Sequence, residues 1–91
     1  MNKGELKDAV AQAAGLSGAD AERAIEAVLD TITKAVASGD KVTIPGFGTF
    51  EKRERSARTG RNPQTGAEIN IAATSVPGFK AGAKFKSAVA G

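Results

Sequence analysis

The hydrophobic period of this chain changes once, at Gly39-Asp40, and that change limits the fold more than any other feature. Before it, Ala21, Ala24, Ile25, Val28, Leu29, Ile32 and Val36 recur every three or four residues, the spacing of one helix face. After it, Val42 and Ile44 alternate with Lys41 and Thr43, the period of a strand with one face buried. The spacing predicts an amphipathic helix over about residues 18–38, closed by Gly39. Ser17 stands as its cap, with Asp20 and Glu22 in the first turn. A shorter helix precedes it. Asn2 and Glu5 form a capping-box pair, Leu6, Ala9, Val10 and Ala13 follow at helical spacing, and Gly15 is the stop. Helices first and strands after is the order of an α+β fold.

Beyond Ile44 the pattern predicts an antiparallel sheet. Pro45-Gly46 and Gly48 punctuate the chain around Phe47. Residues 49–58 read as a second strand and 67–74 as a third. Between them Thr59-Gly60-Arg61-Asn62-Pro63-Gln64-Thr65-Gly66 is turn chemistry. Pro77-Gly78 is expected to break the third strand. Residues 83–89 read as a short last helix, with Phe85, Ala88 and Val89 on one side and Lys84 and Lys86 beside them. The 91 residues are expected to form a single domain: a helical half (1–40), a sheet with an arm (41–76) and a closing helix (77–91).

Charge follows the same division. The formal net charge is only +3, but residues 1–40 carry −3 and residues 41–91 carry +6. The run from Lys52 to Arg61 holds five basic residues and one acidic, and four of the five are arginine, the better fork for phosphate. From Lys52 to Arg58 the only apolar residue is Ala57. Seven residues at about 3.3 Å each extend roughly 23 Å, and a lone two-stranded ribbon is marginal in water. The outer hairpin is therefore expected to be mobile when free and ordered by a polyanion. In strict alternation Arg53, Arg55 and Arg61 share one face, with Lys52 and Arg58 on the other; a bulge would move Arg58 across.

Several chemistries are excluded or disfavoured. Without Cys there is no disulfide scaffold or thiolate site, and without His the commonest general base and metal ligand are missing. No catalytic constellation can be assembled, so neither an enzyme nor a metal or cofactor is expected. Gly46-Phe47-Gly48 begins a dinucleotide fingerprint, but Glu51 stands where its third glycine belongs. No apolar run approaches the length of a membrane span, and the N-terminus has no apolar signal region; a cytoplasmic location is expected, with no membrane partner. Four Phe are the only aromatics, and a domain this small is marginal alone, which makes dimerisation a common remedy.

Arg58-Thr59-Gly60-Arg61-Asn62-Pro63-Gln64-Thr65-Gly66 closely resembles the arm motif of the bacterial histone-like HU/IHF DNA-binding family. Ile44-Pro45-Gly46-Phe47-Gly48-Thr49-Phe50 resembles its saddle-strand motif, and Phe79, Gly82 and Phe85-Lys86 resemble its closing segment. The resemblance covers essentially the whole chain; Gly78, and Phe85 where leucine is commoner, depart from it. It implies an intertwined homodimer, with a helical body and a three-stranded antiparallel sheet extended into a β-ribbon arm. It also implies nucleoid association and binding of double-stranded DNA through the minor groove. Pro63 maps onto the family's intercalating wedge, a mode known for HU and IHF. The implied DNA contacts are Lys52, Arg53, Arg55, Arg58, Arg61, Asn62 and Pro63 on the arm, and Lys3, Lys80, Lys84 and Lys86 on the flanking body. The four phenylalanines are expected as core, with Phe47, Phe50 and Phe79 beneath the saddle.

On the residues alone, Pro63 is a turn proline, and the basic run reads as a solvated surface or as a nucleic-acid contact, with its arginine content favouring the second. Three readings compete: an HU-like binder of little sequence preference, an IHF-like subunit with a preferred site, and a helical module that binds protein. The short chain and its end at Gly91 favour the HU-like branch. The residues leave an RNA partner open beside DNA.

Overall fold

The computed structural model describes all residues from Met1 to Gly91. The chain divides into two compact units, residues 1–34 and 35–91. The first contains helix α1 (Lys3–Ala14) and most of α2 (Gly18–Ala37). The α1 cap forms as expected: the Glu5 N–H donates to Asn2 Oδ1 at 2.9 Å, the Asn2 N–H donates to Glu5 Oε1, and Gly15 closes the helix in the left-handed region. The Asp20 N–H donates to Ser17 Oγ at 3.1 Å, which caps α2. Beyond α2, the Gly39 and Asp40 N–H groups donate back to the Val36 and Ala35 carbonyls, a glycine-assisted stop.

The apolar stripe of α2 is incompletely covered. Ala21 and Val36 are the only buried hydrophobic residues of the chain, while Val28 and Leu29 on α2 are 54% and 50% exposed.

The second unit is built on a three-stranded antiparallel sheet of order β1-β2-β5. Its strands are β1 (Val42–Ile44), β2 (Gly48–Arg55) and β5 (Thr74–Ala81); β3 (Arg58–Arg61) and β4 (Glu68–Ile71) form a separate two-stranded ribbon. Helix α3 (Ala83–Ala90) closes the chain. Phe50 pairs with Phe79 and Val42 pairs with Phe50. Side chains alternate across a strand, so this register puts Val42, Ile44, Phe50, Phe79 and Ala81 on one face. Phe47 and Phe85 join that face. Phe47 stacks on Phe85 with centroids 4.8 Å apart, Phe47 lies 5.4 Å from Phe79, and Phe50 lies 4.7 Å from Phe79. The four phenylalanines are thus one cluster, although Phe47 and Phe79 remain more than a third exposed.

Two strand expectations are corrected. The second strand does not run unbroken to Arg58: the ladder lapses at Ser56-Ala57 and, opposite, at Ala72-Ala73. Two residues on each side span the gap and the register is unchanged beyond it, so no bulge shifts Arg58. Small side chains here offer little cross-strand contact to hold the ladder. Nor does Pro77-Gly78 break the strand, because β5 runs through both to Ala81. β5 is an edge strand paired only with β2, and an edge is where a residue without an N–H fits a sheet.

Gly48 is buried between these elements, and a Cβ there would overlap the Phe79 ring and lie 2.7 Å from the Lys80 carbonyl oxygen. Backbone cannot give way as a side chain tip can. Gly48→Ala should therefore cost about 1–3 kcal/mol of overpacking, read as a lower melting temperature; an unchanged melt would mean the sheet relaxes freely at this point.

Candidate nucleic-acid interface

The face of the sheet opposite the phenylalanines is polar. It carries Thr43 from β1, Thr49, Glu51, Arg53 and Arg55 from β2, and Lys80, Gly78, Val76 and Thr74 from β5. Glu51 lies between two cations: Arg53 Nη2 donates to its Oε1 at 3.4 Å, and Lys41 Nζ is 3.9 Å from its Oε2. Such half-exposed pairs add little stability. Their effect is on where charge sits. The remaining ion pairs involve Lys3, Lys7 and Arg23, so Arg55, Arg58, Arg61, Lys80, Lys84 and Lys86 have no carboxylate partner. Cations without internal partners are the ones ready to meet phosphate.

Two of the expected contacts sit differently from the rest. Lys52 projects from the phenylalanine side of β2, and its Nζ donates to the Ala37 carbonyl at 3.5 Å. It thereby meets an unpaired carbonyl at the end of α2, a site that favours a cation. Lys3 belongs to the first unit, where its ammonium pairs with the Glu26 carboxylate. The sequence reading missed the companions of Arg53. The third strand was expected to end before Gly78, and without its register the face that Arg53 shares with Thr43, Thr49, Glu51 and Lys80 was not defined.

The ribbon β3–β4 pairs Arg58 with Ile71, Thr59 with Asn70, Gly60 with Ile69 and Arg61 with Glu68. One side therefore carries Arg58, Ile69 and Ile71 beside the bare backbone of Gly60. The other carries Thr59, Arg61, Glu68 and Asn70. Ile69 and Ile71 are 44% and 38% exposed. An apolar pair on a thin ribbon has nothing within the ribbon to cover it.

The tip is a closed and well-bonded turn. The Gly66 N–H donates to the Asn62 carbonyl at 2.8 Å, and the Asn62 N–H donates to the Ala67 carbonyl at 2.9 Å. The Gln64 N–H donates to Asn62 Oδ1 at 2.9 Å, and the Ala67 N–H to Thr65 Oγ1 at 3.3 Å. Residues 62–66 thus make a single helical turn with Asn62 as cap and Pro63 in the first position, where its fixed φ and missing N–H cost nothing. Arg61 Nη1 donates to the Gly66 carbonyl at 3.4 Å. Pro63 is exposed. Among the neighbouring N–H groups, those of Asn62, Gln64, Gly66 and Ala67 are paired inside the turn, so a dry environment would leave them satisfied. Asn62 was expected to contact a partner; its carbonyl oxygen is engaged in the turn.

A family model described as bacterial DNA-binding protein matches residues 1–90. DNA-binding protein HU 1 of Bacillus subtilis is 59% identical over 91 residues, covering 100% of this chain and 99% of that protein. Among solved structures, an Anabaena HU–DNA cocrystal structure is similar with a TM-score of 0.92 at 56% identity, covering 99% of this chain and 98% of that one. HU from Thermotoga maritima is similar with a TM-score of 0.69 at 36% identity, covering 98% of each chain.

The tip geometry makes a prediction of its own. Asn62→Ala should release the Gln64 amide to solvent at a cost of about 1 kcal/mol, the usual worth of such a cap. Asn62→Asp, which keeps the acceptor, should leave it bonded. The temperature coefficient of the Gln64 amide proton measures this, and equal values in the two variants would contradict the capping role.

Proposed function

The chain belongs to the family of bacterial DNA-binding proteins, and from that premise we propose that it is an architectural protein that binds and bends double-stranded DNA with little regard to sequence. It is not an enzyme. The observation that carries the reading is the outer ribbon. That ribbon has no core, its arginines have no acidic partner, and it ends in a preformed turn with Pro63 exposed. Arg55, Arg58 and Arg61 contact phosphate or the groove, while Ile69 and Ile71 face the apolar sugar edges of the minor groove. Lys80, Lys84 and Lys86 meet flanking phosphates. Lys3 joins them by exchanging the Glu26 carboxylate for phosphate, Lys52 by leaving the Ala37 carbonyl, and Arg53 through the donors that Glu51 does not hold.

Pro63 enters a base step as a wedge. Its ring has no N–H to leave unpaired, and the turn behind it pairs the Asn62, Gln64, Gly66 and Ala67 N–H groups internally. Unstacking costs a few kcal/mol per step and is repaid when the bent duplex reaches more basic surface. Asn62 keeps only its amide NH2 free for a base edge. Phosphate contacts carry no sequence information, so preference comes from DNA that deforms cheaply. A wide, shallow A-form minor groove gives the ribbon no matching slot, which favours DNA over RNA as the partner.

The working unit of this proposal is an intertwined homodimer of 91-residue modules at the cytoplasmic nucleoid. Support comes from the half-exposed Val28 and Leu29, and from a phenylalanine cluster with no residue fully buried. A second copy is the covering surface that such a stripe needs.

Pro63→Ala should weaken binding to nicked or junction DNA about tenfold, the worth of one lost insertion of roughly 1.4 kcal/mol, and binding to straight duplex by less than about threefold. Equal losses on both would contradict the wedge. If the dimer neutralises roughly six phosphates, log K should fall with log salt at a slope near about −5; a flat salt titration would remove the electrostatic basis of the proposal.

A further inference from the structure

Arg53 and Gly78 occupy neighbouring pairs on the polar face of the sheet. Arg53 pairs with Val76 and Glu51 pairs with Gly78, so Arg53 and Gly78 are diagonal neighbours within reach of a long side chain. Arg53 takes that diagonal. A Cβ built on Gly78 would lie 2.7 Å from Arg53 Cδ and would overlap its guanidinium carbon and Nε. The Arg53 side chain therefore occupies the space that a side chain at Gly78 would fill, and its Nη2 donates to Glu51 Oε1 at 3.4 Å. Arg53 is still half exposed in this position. It is seated on the sheet and still accessible from solvent.

We propose that Gly78 is a positioning residue for DNA binding: by lacking a side chain it seats Arg53 against the sheet, where Glu51 orients the guanidinium toward the duplex. The proposal rests on the DNA-binding reading above. A free arginine carries much rotamer entropy, and fixing it on binding subtracts from affinity. A seated arginine has already lost most of that freedom in the folded chain. Every other strand position opposite β2 from Thr74 to Ala81 bears a side chain, so no other residue of β5 offers this seat.

Gly78→Ala is a selective probe. Gly78 is not among the glycines with positive φ, so alanine fits the backbone without strain. The atoms nearest the added Cβ belong to the Arg53 side chain, which can swing away. Gly48→Ala, by contrast, meets a carbonyl. The fold should therefore survive, with an unchanged or raised melting temperature, since alanine replaces glycine inside a strand.

The test is a double-mutant cycle on duplex DNA at two salt concentrations, with the wild type, Gly78→Ala, Arg53→Ala and the double variant as intact proteins. Gly78→Ala should weaken binding about two- to tenfold, the size of one side chain's ordering, and leave the salt slope unchanged because no charge is lost. Arg53→Ala should weaken binding and flatten the slope. In the Arg53→Ala background, Gly78→Ala should have no further effect. An equal loss in both backgrounds would mean that Gly78 acts only on the sheet and would overturn the proposal. Tighter binding by Gly78→Ala would overturn it too, since the seat would then withhold Arg53. Failure of the wild type to bind DNA would instead overturn the function on which the proposal rests.

Discussion

The pairing of Phe50 with Phe79 sorts every later residue of the sheet. Strand side chains alternate with period two, and a slip of one residue would exchange the faces. In the observed register the phenylalanines gather on one side, and Arg53, Arg55 and Lys80 gather on the other. The same register continues past the lapse at Ser56-Ala57. It sets Arg58 beside Ile71, brings Arg61 opposite Glu68, and leaves Pro63 at the end of the ribbon. The apolar cluster therefore does more than hold the sheet together. It determines which cations face outward.

Electrostatics then distinguishes among those cations. A sum of +3 is too small to identify a partner, because it averages an acidic helical half with a basic sheet half. Within the basic half, Lys41 and Arg53 share Glu51, and Lys52 turns to a helix carbonyl. Arg55, Arg58 and Arg61 remain without a carboxylate, and they lie on or next to the ribbon that has least apolar contact of its own. Charge without an internal partner and backbone without a core occur in the same segment. In the proposed complex a polyanion supplies both at once: counterions are released as phosphate is met, and a groove encloses the ribbon's isoleucines.

Much of this was legible in the sequence, for local reasons. The α1 capping box and the Ser17 cap are set by side chains three residues from the N–H groups they satisfy, and the stop at Gly39 by backbone bonds that reach back no more than five residues. The tip turn is local too, and its residues carried the family resemblance. What was not legible depended on partners distant in the chain. Pro77-Gly78 reads as a break until β5 is known to be an edge strand. The lapse at Ser56-Ala57 becomes apparent only with Ala72-Ala73 opposite. The attachment of Lys52 to Ala37, the pairing of Lys3 with Glu26 and the seat of Arg53 on Gly78 each join residues more than ten positions apart, and no pattern within one strand or helix announces them.

The central claim is that the ribbon of β3 and β4 is held by its ladder alone and gains its order from duplex DNA. Amide hydrogen exchange across residues 58–71, with and without a short duplex, tests it most directly. The account predicts rapid exchange in the free protein and strong protection on binding, largest near Pro63 and weak in α1. Ribbon amides already protected in the free protein, or unaltered by DNA while the helices change, would contradict it.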